Sequence, residues 1–125
     1  KTHYNEMNVL SMHALIGAYQ PQGYEWVDEL NQVLAGNIEY FCNYVDEHFE
    51  GVSYSRPQGT YMVFLDCTEW CREHGRDIQW LLDAGARVGV GYQDGPCHIR
   101  VNLALPLSRV REACDRLDRY VFNAR

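Results

Sequence analysis

His98-Ile99-Arg100-Val101-Asn102-Leu103-Ala104-Leu105-Pro106 sets a single arginine inside a largely apolar run. Strand alternation places Ile99, Val101 and Leu103 on one face and Arg100, Asn102 and Ala104 on the other. This predicts a sheet with one core face and one polar face, whose strand ends at Pro106. A guanidinium is a rigid fork of donors, charged at any working pH, that matches a carboxylate or phosphate in bidentate fashion. Arg100 is therefore the candidate anion anchor. The plainer reading of the same pattern is a solvated or surface-paired arginine.

Outward from this strand the periodicity alternates between helix and sheet. On the C-terminal side, Ser108 is placed to cap a last helix with the stripe Val110, Ala113/Cys114, Leu117 and Tyr120/Val121. On the N-terminal side come the turn Asp94-Gly95-Pro96 and a short glycine-bearing strand, Arg87-Val88-Gly89-Val90-Gly91. Before them, a helix over residues 76–84 carries Ile78, Leu81 and Leu82 and stops at Gly85. Residues 68–75 are polar and predict a short helical turn closed by Gly75. Thr60-Tyr61-Met62-Val63-Phe64-Leu65-Asp66 is a continuous β-rich run, predicting a strand covered on both faces or nearly so. It follows the turn Pro57-Gln58-Gly59 and the short strand Val52-Ser53-Tyr54-Ser55-Arg56.

The longest periodic segment spans residues 24–49. Trp26, Leu30, Val33/Leu34, Ile38, Phe41, Val45 and Phe49 form its stripe, and Glu25, Asp28 and Glu29 lie where the helix dipole favours acids. Gln20-Pro21-Gln22-Gly23 separates it from a first helix over residues 5–19. The predicted order is two helices, two strands, a helix, two strands and a helix. That is an α+β fold in which a small, mainly antiparallel sheet of three to four strands has helices packed against it.

Composition narrows the functions. A chain of 125 residues, 46% of them hydrophobic, suits a single domain over residues 1–125. The net charge of −6 argues against nucleic acid and anionic membrane as partners. The sequence holds neither a spanning apolar run nor the apolar core of a signal peptide, and its five cysteines are an odd number without framework spacing. The expectation is a soluble cytoplasmic protein with reduced thiols. Cys67, Cys71 and His74 offer three ligands where structural zinc takes four, so no metal site is expected. The only lysine is Lys1, which leaves no lysine nucleophile inside the domain.

Three motifs occur in a fixed order: Trp26-Val27-Asp28-Glu29-Leu30 with Asn37 later on the same helix, Pro57-Gln58-Gly59-Thr60-Tyr61, and Arg100-Val101-Asn102 followed by Pro106. Together they resemble the C-terminal small domain of the class I/II aminotransferase superfamily, the fold type I pyridoxal phosphate enzymes, over nearly the whole chain. The wording is most similar to the cystathionine β-lyase-like branch, which carries out carbon–sulfur β-elimination. The resemblance implies that Arg100 binds the α-carboxylate of an amino-acid substrate, that Asn102 is structural, and that Gly59, Thr60 and Tyr61 define the fold. It also implies that no catalytic or cofactor-binding residue lies in this chain. Pyridoxal 5'-phosphate would be held mainly by the large domain of the same parent chain, the parent would be a homodimer, and this domain alone would be inactive.

Two segments depart from the family: between Tyr19 and Trp26 there is one residue more than the family pattern has, which affects a loop, and the stretch before Arg100 is short. Only Pro96, Cys97, His98 and Ile99 lie between Gly95 and Arg100, where the family carries a longer loop with a Phe-Gly pair.

Two other functions compete with this one. A free-standing anion-binding module would enclose Arg100 in a pocket, and an interaction domain would use its nine tyrosines with Trp26, Trp70 and Trp80. A domain that belongs with a larger one should instead expose an apolar patch.

Overall fold

The computed structural model describes residues 8–88, 92–93 and 97–124, with the backbone alone for 85–88 and 92–93. The elements are α1 (Val9–Ala18), α2 (Pro21–His48), β1 (Ser53–Ser55), β2 (Met62–Asp66), α3 (Thr68–Glu73), α4 (Ile78–Val88), β3 (Tyr92–Gln93), β4 (His98–Asn102) and α5 (Leu107–Leu117). A π-helical turn, Asp118–Phe122, follows α5. The chain divides into two compact units, residues 1–33 and residues 34–125.

In the first unit, Asn8 caps α1 by accepting the Ser11 N–H at 2.8 Å. The break expected over residues 20–23 is tighter than the sequence predicts, because α2 already begins at Pro21. Proline suits the first helical position, where its missing N–H has no intrahelical partner to lose. The Gln20 carbonyl accepts from Gly23 and Tyr24 at 2.9 and 3.2 Å. Gly23 has a steric reason to be glycine, since a Cβ there would lie 1.9 Å from the Ala18 oxygen. No residue of α1 is buried, and Leu10 is 82% exposed. The expected stripe of α2 fails in this unit, where Trp26 is 63% exposed and Val33 is exposed too.

The second unit holds the core. Its sheet has the order β1-β2-β4-β3 with every pair antiparallel. Val63, Leu65, Ile99 and Val101 are buried on one face, together with Phe41, Cys42 and Val45 of α2, Leu81 of α4, and Val110, Cys114 and Leu117 of α5. The expectation that β2 is covered on both sides is corrected: Phe64 is 40% exposed and Met62 and Asp66 are half-buried. A continuous apolar run is therefore compatible with a one-faced sheet.

Two further boundaries move. Helix α4 runs through Gly85 to Val88, so Arg87 and Val88 are helical and the strand lies at Tyr92–Gln93. A lone glycine costs a helix about 1 kcal/mol, less than burying a leucine such as Leu81 returns. Residues 89–91 and the turn over residues 94–96 lie outside the described residues. The cap of α5 is Pro106 and not Ser108: the Pro106 carbonyl accepts from Arg109 and Val110 at 2.8 and 3.2 Å, with no side-chain cap. Of the predicted pair at the end of the stripe, Val121 is buried and Tyr120 is exposed.

Candidate carboxylate site on strand β4

Alternation along β4 is as the sequence predicts, with Ile99 and Val101 buried, His98 and Arg100 half-buried and Asn102 exposed. Arg100 pairs with Phe64 on β2 and with Tyr92 on β3, so its backbone is held from both sides. On the same open face, Met62 stands opposite Asn102 and Asp66 opposite His98. The His98 Nε2 lies 3.8 Å from an Asp66 carboxylate oxygen. Just ahead of α3 that carboxylate also accepts from the Thr68 hydroxyl at 2.5 Å and the Thr68 N–H at 2.9 Å. These bonds, with His98 contributing less, hold its pKa below the ordinary carboxylate range.

The segment after the strand is fixed by a residue whose role the sequence did not disclose. Asn37, 1% exposed on α2, donates both amide hydrogens, to the Leu103 carbonyl at 2.9 Å and the Leu105 carbonyl at 2.7 Å. The Leu103 N–H donates to the Tyr61 carbonyl at 2.9 Å, and the Asn102 side chain accepts the Ala104 N–H at 2.8 Å. A buried asparagine on an apolar helical stripe is the one available signal, because such an amide must find partners.

The Cys67, Cys71 and His74 trio is not drawn together as a ligand set. The His74 ring stacks on Trp70 at 4.5 Å, with its Nδ1 2.9 Å from the Trp70 carbonyl. Among the described residues no three metal-ligating side chains gather at one point. A cavity lined by Trp70, His74, Arg76, Trp80 and Phe122 does not include Arg100.

No family model matches the chain. A curated protein of Mycobacterium leprae named "Putative cystathionine beta-lyase" is 34% identical over 126 residues, covering 82% of this chain and 30% of its own length. The C-S lyase of Staphylococcus hominis, solved with pyridoxal phosphate bound, superimposes with a TM-score of 0.82 at 21% identity, over 98% of this chain and 33% of its own. A pyridoxal phosphate-bound "putative aminotransferase" of Clostridium difficile gives a TM-score of 0.77 at 25% identity, over 89% of this chain and 30% of its own. The chain shares its fold with the matching third of these pyridoxal phosphate-bound proteins. The chain spans about a third of the length of the proteins it matches.

Among the described residues the side chains do not fit pyridoxal phosphate as a resident group. The aldehyde of the cofactor needs an amine, and the only lysine is Lys1, outside the described residues. Among the described residues, the carboxylate on the open sheet face beside Arg100 is that of Asp66, and it is engaged by Thr68 and His98.

Proposed function

We propose that the chain is the substrate-gripping domain of a cytoplasmic pyridoxal phosphate enzyme that acts on amino acids, as a C–S β-lyase or an aminotransferase. Arg100 binds the α-carboxylate. The observation that carries this reading is the placement of Arg100 on an inner strand, half-buried on the open sheet face. A guanidinium so placed takes both carboxylate oxygens at once, which fixes the direction of the α-carbon bonds and so contributes to rate by orientation. The Asn37 bonds keep the chain just past the strand from drifting, so the fork is presented from a rigid stem. Carrying the arginine on a domain separate from the cofactor couples substrate binding to domain closure.

The exposed apolar side chains of α1, among them Val9, Leu10, Leu15 and Ile16, support a covering body. We assign that body to the large domain of the same parent chain, in a homodimer. The test is Arg100→Ala and Arg100→Lys in the full-length enzyme. Loss of one partner of a charged, hydrogen-bonded pair costs about 2–4 kcal/mol, so kcat/KM for an amino acid should fall roughly 30- to 1,000-fold. Binding of an amine lacking the carboxylate should be unchanged. Equal kinetics for Arg100→Ala and the unaltered enzyme would remove Arg100 from the site.

A further inference from the structure

Where β2 hands over to α3, backbone hydrogen bonds link three of the five cysteines. The Cys67 N–H donates to the Cys97 carbonyl at 2.8 Å, one step beyond the Asp66–His98 pair, so these two cysteines face each other at the end of the ladder. Cys71 lies one helical turn on, its N–H donating to the Cys67 carbonyl at 2.9 Å. Cys97 packs against the core cluster that holds Cys67 and Cys71, and the Cys71 thiol has that of Cys97 as a neighbour. All three are free thiols. Their access is graded: Cys67 and Cys71 are buried and Cys97 is half-buried. Cys97 also holds a left-handed backbone, φ +61°, which is unfavourable for a residue with a Cβ and fixes the direction of its side chain.

We propose that Cys71 and Cys97 form a peroxide-sensitive dithiol, whose disulfide ties α3 to the residue that enters β4. It does not rest on the role given to Arg100. Cys97, the accessible thiol, is the attacking group. Its thiolate sulfur bonds one peroxide oxygen, the O–O bond breaks, and the hydroxide released takes up a proton as water, leaving a sulfenic acid on Cys97. The Cys71 sulfur then attacks the Cys97 sulfur. The S–O bond breaks, and the oxygen leaves as a second water with the Cys71 proton. Two thiols are oxidised by two electrons, and one hydrogen peroxide is reduced to two waters. Burial pushes the Cys71 thiol up to about 11, which disfavours it as the group that attacks peroxide first.

The test uses the full-length protein, reduced, exposed to graded hydrogen peroxide, alkylated and mapped by mass spectrometry without reductant. The expected product is the Cys71 and Cys97 peptides joined and two hydrogens lighter, separated again by dithiothreitol. Cys71→Ser should abolish the link and leave a Cys97 sulfenic acid trapped by dimedone. Cys97→Ser should give no peroxide-dependent link. The unaltered chain decides the matter even if a variant misfolds. Cys97 joined to Cys67, oxidised to sulfinate while Cys71 stays a thiol, or left unmodified overturns the assignment.

Discussion

Replacing Asn37 tests whether one buried amide holds the chain beyond the arginine strand. Asn37→Ala removes two hydrogen bonds and leaves the Leu103 carbonyl without its donor in the core. Each bond is worth about 1 kcal/mol net, and an abandoned buried carbonyl costs a further ~1–3 kcal/mol. A loss of about 3 kcal/mol is expected out of the roughly 5–15 kcal/mol that holds such a domain. With a urea slope near 1.5 kcal/mol per molar, the unfolding midpoint should drop by about 2 M.

Asn37→Asp sharpens the test because it keeps the shape but turns a donor into an acceptor facing two carbonyls. At neutral pH it should be less stable than the alanine variant. Burial raises the folded pKa of such an acid, so its penalty is absent below the unfolded value near 3.9, grows as pH rises towards the folded value, and stays in full above it. Urea unfolding of the 125-residue chain at pH 7 and pH 4 measures both effects. An alanine variant with an unchanged midpoint, or an aspartate variant as stable as alanine at pH 7, would refute the argument.

Other substitutions probe the supports of the fold. Gly23→Ala forces a Cβ onto the Ala18 oxygen and should lower the helical circular dichroism and the melting temperature, whereas Gly36→Ala meets nothing within 4 Å and should stabilise by about 0.5–1 kcal/mol. Asp66 has a depressed folded pKa, so its contribution is present at neutral pH and lost as pH falls through that value. Asp66→Ala should therefore cost about 1 kcal/mol at pH 7 by urea unfolding, and progressively less as pH falls below the ordinary carboxylate range and through the depressed value. Cys114, fully buried with its thiol pushed up to about 12, should react with a soluble disulfide reagent no faster than the chain unfolds.

The sequence was most legible where one period dominated. The β4 alternation from Ile99 to Asn102 and the α2 stripe from Ile38 to Phe49 both stand in the fold. It was least legible where a local signal competes with packing. Gly85 reads as a stop, yet the burial of Leu81 and Ala84 carries the helix through it. Ser108 reads as a cap, yet the backbone of Pro106 does that work. Trp26 reads as core from its spacing alone, which cannot say whether the partner surface belongs to the same chain. The motif around Arg100 singled out the charge, but Asn37, 66 residues before Leu103, required the fold to connect them.

Being an inner strand has an evolutionary corollary for β4. Sliding it by one position would turn Arg100 into the oily side and Ile99 into water, and would break two ladders at once. Mutation can lengthen, shorten or delete the cation, but relocating it by a residue would require rebuilding the domain. With Arg100 in the role proposed for it, any drift in what such a protein accepts should accumulate around the ligand, with the place of the charge left constant.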